Sequence, residues 1–354
     1  ARPEALHHGW RAFATREAAL RAQVAAGRVT HLAGHHVWTV VPAGTAWRLH
    51  AVADGERARA VDARAVLIAT GAYERQLPFP GWTLPGVVGA GGAQAMLKGG
   101  LVLPGRRVVV AGSGPLLLAV AGSLAAAGAT VPAVVEASSY LGYAGHVPAL
   151  LRNPGKLAEG ATYGGALLRH RVRLLARRAV VEAHGTDRVE AVTVARLDRE
   201  WRPVPGTGRR IPCDAVAVGH GLVPQLELAT GLGCATRTAA DGTVALVLDA
   251  QQRTSVPGIW SAGETGGIGG AQLALVEGEL AAHSIAEALR SPSPEGARGA
   301  APVPGGTPSG SRGRRGGAGK EPPQEPPQDP PRAAGRARLA RTRARLRAFA
   351  DAMG

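Results

Sequence analysis

The stretch Val108–Val109–Val110–Ala111–Gly112–Ser113–Gly114–Pro115, continued by an apolar run from Leu116 to about Ala127, decides how this chain folds. Consecutive valines read as a strand buried on both faces, and the glycine-rich turn that follows enters a helix. A second strand, Val131–Val135, ends at Glu136. The 28 residues between Arg107 and Glu136 carry no charge, enough for a membrane span by length alone. Gly112, Gly114, Pro115, Gly122, Gly128 and Pro132 cut them into strand, turn, helix and strand, so the expectation is a buried βαβ unit and no transmembrane segment.

The same turn has the composition a dinucleotide phosphate requires. Gly112 permits a tight turn, Gly114 lets backbone approach a pyrophosphate, and the helix entered through Ser113, Pro115 and Leu116 offers free N–H groups and a positive dipole end. The third position of the fingerprint, usually Gly or Ala, is Leu117. Glu136, 24 residues after Gly112, is placed to accept from an adenosine ribose hydroxyl and to disfavour a 2′-phosphate.

Working outward, three more strands end in small residues. Ala65–Ala69 runs into Thr70–Gly71, and Ala215–Val218 into Gly219–His220–Gly221. Gly258–Ser261 leads through Ala262 to Gly263–Glu264 and then Gly266 to Gln272. The pattern predicts further crossings into parallel sheet, with Ala69, Thr70, Gly71 and Gly219 under a bound nucleotide, where a larger side chain would collide. Gly263 and Glu264 are expected at a flavin's ribityl and phosphate region. The helix opening at Gly270–Ala271–Gln272, and running to about Leu289, would point its N-terminus at the pyrimidine edge, stabilising negative charge on reduced flavin.

Composition narrows the classes. With 354 residues and 45% hydrophobic content the chain buries a sizeable core, which excludes disorder throughout. Cys213 and Cys234 are the only cysteines and form no CxxC, which removes disulfide scaffolds, zinc ribbons, iron–sulfur ligation and a redox dithiol. The net charge is +15, yet only three of 41 basic residues are Lys and no basic stripe interleaves with aromatics, so specific nucleic-acid binding is not expected. His31, His35 and His36 lack an acidic helper or HExxH spacing, so no metal is assigned. His220, Tyr73, Glu74 and Arg75 read as structural, and no Ser/His/Asp or paired-carboxylate constellation is discernible. No residue is assigned a catalytic role.

From Ser291 to Pro331, 11 of 41 residues are Pro and 9 are Gly, which reads as a disordered or polyproline linker. Residues 336–353 recover helical spacing, with Leu339, Leu346, Phe349 and Met353 on one side: an amphipathic basic helix wanting a partner surface.

The stretches LIATGAYERQLPFPGWTLPGVVGAGGAQAMLKGG (67–100), VVVAGSGPLLLAVAGSLAAAG (108–128), VGHGLVP (218–224) and RTSVPGIWSAGETGGIGGAQLALVEGELAA (253–282) resemble the FAD/NAD(P)-binding subunits of hydrogen cyanide synthase, opine oxidase and hydroxyproline dehydrogenase complexes. The resemblance covers roughly residues 30–290 and is most specific in the ATGAYER…PFPGWTLPG segment. It implies an α/β, glutathione-reductase-like flavoprotein with two dinucleotide-binding domains. The layout would be an FAD-type first part over 1–78, an inserted NAD(P)-type Rossmann domain over 79–222, an FAD-type last part over 223–290, a linker over 291–335 and the basic helix over 336–354. The family's first motif, a strand followed by GxGxxG, is missing before ARPEALHHGW, and so is the cysteine-rich iron–sulfur module of many relatives.

FAD, and NAD(P) or another adenine nucleotide at the inserted domain, are the implied cofactors. The implied activity is electron transfer in a heteromeric amino-acid, opine or imino-acid dehydrogenase or oxidase acting on CH–NH or CH–NH2 donors. Its partner would be a flavin amine-oxidase-like catalytic subunit, and a small iron–sulfur subunit would be a further one, in the cytoplasm or peripheral on the inner membrane face. Two other readings stay open: a stand-alone NAD(P)H-dependent flavin oxidoreductase, which Gly112, Gly114 and Glu136 favour, and a non-catalytic nucleotide-binding structural subunit.

Overall fold

In the computed structural model, which describes residues 10–53, 57–139, 163–239, 241–290 and 330–353, the valine run is the middle strand of a five-stranded parallel sheet. The order is Val87–Gly89, Ala215–Gly219, Val108–Gly112, Ala133–Glu136, Arg173–Ala176. Strand alternation explains why no position in the run tolerates polarity. Val108 and Val110 face the helices Ala90–Gly100 and Leu116–Ala126, packing with Leu97, Leu117, Val120 and Leu124. Val109 and Ala111 face a three-stranded antiparallel sheet through Val192 and Val194. Each fully buried valine stabilises by about 1.5–3 kcal/mol. The uncharged stretch is therefore strand, turn, helix and strand, and no helix among the described residues is long and apolar enough to cross a membrane.

The antiparallel sheet, Arg178–His184, Ala191–Arg196 and Arg209–Pro212, covers the face of the parallel sheet that lacks helices. Ile259–Ser261 does not enter the large sheet. It pairs in parallel with Val66–Ile68 and shares a separate core with Trp47, Leu246 and Val40. Two short strands, Ala72–Glu74 and Leu222–Pro224, run antiparallel where the chain passes from one sheet system to the other and back. Ahead of them, His35–Ala43, Ala46–Ala53 and Arg57–Ala63 form an antiparallel meander. The helix Trp10–Ala25 has no buried residue.

The C-terminal helix spans Pro330–Met353 and so begins inside the stretch read as linker. Proline is tolerated in a first helical turn, where its missing N–H has no intrahelical acceptor. It packs on the helix Ala271–Arg290, where Arg336 pairs with Glu287. The remainder of the Pro/Gly segment, 291–329, lies outside the described residues.

Candidate functional site

The C-terminal ends of the parallel strands bring Gly112, Glu136 and Gly219 together. Gly112 (φ +139°) is required by packing, because a Cβ there would stand 1.7 Å from the Gly219 carbonyl oxygen. That carbonyl accepts from the Ser113 N–H at 2.8 Å. Gly219 is itself buried, and a Cβ on it would approach Ala90 Cβ to 3.0 Å and Leu117 Cδ2 to 3.5 Å. The tight approach is to Ala90, at the start of the neighbouring helix, whereas 3.5 Å to Leu117 is ordinary contact. Gly114 (φ +105°) has open space where a Cβ would stand.

Glu136 is fully buried, and its carboxylate folds under the turn. It accepts from the Gly114 N–H at 3.1 Å and from the Ser138 N–H and hydroxyl at 2.9 and 2.8 Å. Pro115 and Leu116 are exposed at the start of the helix, and the Leu116 N–H has no partner among the described residues. His220 is half-buried beside this turn. Burial first, then the charge of Arg75, holds its imidazole below the ordinary value against the opposing pull of Glu136, so it is neutral at pH 7.

Glu74 holds the neighbouring helix. Its carboxylate accepts from the Gly91 N–H at 2.7 Å at the N-terminus of Ala90–Gly100, where a negative charge complements the dipole. A Cβ on Gly89 would meet Glu74 Oε2 at 2.2 Å and so would displace this carboxylate. Ala69 and Thr70 are exposed and Gly71 is half-buried at the crossing between sheets. The Thr70 hydroxyl donates to Gln225 O at 2.7 Å, and the Gln225 N–H donates to Gly71 O at 2.9 Å. The segment ties the outgoing and returning strands together.

The second strand end is built by Ser261 to Gln272. Ser261 anchors it from inside, its hydroxyl 3.1 Å from Ile68 O and 2.6 Å from the Thr265 hydroxyl. The Glu264 carboxylate accepts from the Gly269 and Gly270 amides, both at 2.9 Å. This carboxylate closes the loop onto itself at the helix start. The first-turn amides of Ala271, Gln272 and Leu273 then have no partner among the described residues. Gly270 (φ +81°) has open space above it, and Ala271 and Gln272 are exposed.

Behind the loop stands a buried ionic cluster that spacing alone did not identify. Glu277 is 0% exposed and accepts from the Gly263 N–H at 3.1 Å, from Arg347 Nη2 at 2.9 Å and from Arg343 Nε at 3.2 Å. Arg347 also donates to Gly267 O at 2.8 Å, and Arg237 donates to Gly266 O at 2.9 Å. The Gln252 amide, turned so that its oxygen faces Arg343, accepts from Nε at 2.8 Å and donates to Ser261 O at 3.2 Å. The signal was present in the helix, since Leu273, Glu277, Leu280 and Ser284 share one buried stripe and a carboxylate there needs a cation.

These features fit nucleotide-type cofactors. Open backbone at Gly114 and Gly270, and unpartnered helix-start amides at Leu116 and Ala271–Leu273, are donors for phosphate or for an electron-rich ring edge. Cys213 and Cys234 are separately buried, and burial pushes the Cys213 thiol up to about 11. Among the described residues no group of three or more His, Cys, Asp or Glu stands together as a metal site requires.

Comparison with known proteins agrees with the geometry. The family described as pyridine nucleotide-disulphide oxidoreductase matches residues 4–278. Hydrogen cyanide synthase subunit HcnB of Pseudomonas aeruginosa is 39% identical over 245 residues, covering 69% of this chain and 53% of that protein. An opine oxidase subunit from Rhizobium meliloti is 34% identical over 267 residues, covering 73% and 55%. Among solved structures, the thioredoxin reductase of T. acidophilum superposes with a TM-score of 0.58 at 21% identity, covering 78% of this chain and 81% of that one, a likeness of fold. The chain thus spans about half the length of the curated relatives it matches.

Proposed function

The chain belongs to the pyridine nucleotide-disulphide oxidoreductase family, and from that premise we propose that it is the FAD-dependent electron-transfer subunit of a heteromeric dehydrogenase or oxidase acting on an amino acid, imino acid or opine. The observation that carries the reading is the pairing of two nucleotide-type strand ends with the lack of a dithiol. One chain offers the Gly112–Leu116 turn and the Gly263–Gln272 loop, while its two cysteines are apart and buried. A family member without a disulfide to reduce needs another outlet for electrons. The names of the two curated relatives, each one component of a larger enzyme, favour a partner chain as that outlet. They also favour a donor oxidised at a C–N bond.

FAD, when bound, supplies the electron-accepting ring. The protein's own part is placement. The Ala271–Leu273 amides and the dipole behind them would hold negative charge at the loop, and Glu264 keeps that loop closed by capping it. Glu277, through the Gly263 N–H, fixes where the strand hands over to the loop. At the other turn, Glu136 would exchange its hydrogen bond to Gly114 for a ribose hydroxyl, favouring an adenine nucleotide without a 2′-phosphate. A flavin amine-oxidase-like subunit would hold the substrate, and a small iron–sulfur subunit would be a further acceptor.

Heat release of bound nucleotide from the purified chain tests this reading. FAD together with an adenine nucleotide is expected. Adenine nucleotide without flavin would assign the chain to a structural, nucleotide-holding role. Rapid NADH-driven dye reduction by the chain alone would assign it to a stand-alone reductase.

A further inference from the structure

At the opposite end of the five-stranded sheet from the nucleotide turn, six arginines that share no sequence motif converge on a cleft of about 720 Å3. Arg107 comes from the approach to the valine strand, Arg171 and Arg173 from the entry to the last parallel strand, and Arg178, Arg209 and Arg210 from the antiparallel sheet. All are exposed except the half-buried Arg178, and none is paired with a carboxylate among the described residues. His170 adds a seventh nitrogen-bearing side chain, and no acidic residue among the described ones lines the cleft. Asp214, on the adjoining segment, is taken up by the Arg106 and Arg107 amides at 3.1 and 2.7 Å. Arg107 is held in place by its Nε bond to Pro212 O at 2.8 Å, which leaves its terminal nitrogens to the cleft. Val131, Leu175, Val194 and Ile211 stand behind these polar groups, with Val131 and Val194 almost wholly buried.

We propose that this cleft is a second binding site, for a small polyphosphate anion. Like charges gathered in a concavity focus a positive potential and are relieved by an anion. Guanidinium groups match phosphate oxygens two at a time. The size lies within the range of small-molecule pockets, whereas a protein partner would cover a flatter face of roughly 800 Å2. Single-stranded nucleic acid would want aromatic platforms, and none of the described residues lining the cleft is Phe, Tyr or Trp. Arginines on the edge strands Arg173–Ala176 and Arg209–Pro212 also discourage edge pairing, but that role does not call for Arg107 and Arg171 to face the same space.

Calorimetry of the full chain with inorganic tripolyphosphate, ATP and orthophosphate tests the site. It compares the parent with Arg173→Glu/Arg209→Glu and with Gly114→Leu. Tripolyphosphate is expected to bind far better than orthophosphate, and to weaken at least tenfold per reversed arginine, while Gly114→Leu leaves it unchanged. Both arginines are exposed and unpaired, so thermal melting should match the parent; if the reversals fail to fold, Arg173→Gln/Arg209→Gln replaces them with the same expected direction. Binding insensitive to these changes would overturn the proposal. So would orthophosphate and tripolyphosphate binding alike and vanishing at 0.15 M salt, which is mere ionic association. Tighter binding of polyglutamate or single-stranded DNA through the same arginines would overturn it in favour of a macromolecular partner.

Discussion

Replacing Arg347 with Met should destabilise the folded chain by about 3 kcal/mol, although the residue lies in the C-terminal helix and far in sequence from the Gly263 loop. Arg347 is only 13% exposed and donates to a carboxylate that is 0% exposed. Losing a charge-assisted hydrogen bond costs about 1.5–3 kcal/mol, and leaving the buried Gly267 carbonyl unsatisfied adds about 1–3. Arg343 and the Gly263 N–H still hold Glu277, which keeps the total near the lower end. Equilibrium urea unfolding reads the loss, and a melting point lower by on the order of 10 °C accompanies it. The partner change decides the cause. Glu277→Gln should be costly in the parent, where it leaves two cations uncompensated, and less costly beside Arg347→Met, where only Arg343 is left, giving a coupling of at least about 1 kcal/mol. Additive effects within about 0.5 kcal/mol, or a cost below about 1 kcal/mol for Arg347→Met, would refute the view that this helix holds the loop.

The two glycines of the nucleotide turn should part company. Gly112→Ala should unfold the sheet, because its Cβ would lie 1.7 Å from Gly219 O, whereas Gly114→Leu should keep the fold at a strain of about 1–3 kcal/mol and lose NAD binding by calorimetry. Glu264→Ala should cost about 2 kcal/mol with or without flavin, because two amides lose their cap; a fall in flavin content at unchanged stability would show that the carboxylate contacts the cofactor instead. Neither thiol should react with a disulfide reagent in the folded chain at pH 7, and both should react after denaturation. The folded chain holds the Cys213 proton more tightly than the unfolded one, so stability present below pH 9.0 should be lost as pH rises through about 11, read as a falling urea midpoint.

Whatever depends on neighbours along the chain was legible in the sequence alone. Three valines before Gly112–x–Gly114 define a doubly buried strand and a phosphate-type turn, because burial on both faces and a positive φ are local demands with few residue solutions. The helix after Gly270 was legible from its spacing for the same reason. Tertiary structure decided which distant groups meet. Spacing points Glu136 at a ribose and Glu264 at a cofactor, but it does not report that Glu136 also accepts from Gly114 and Ser138 or that Glu264 also caps the Gly269 and Gly270 amides. Gly219 lets Ala90 approach closely from another element, which no spacing rule along one strand reports. The Arg343–Arg347–Glu277 cluster and the six-arginine cleft join residues dozens of positions apart. Charge interacts through space, so its partners are settled only when the sheets and helices have stacked.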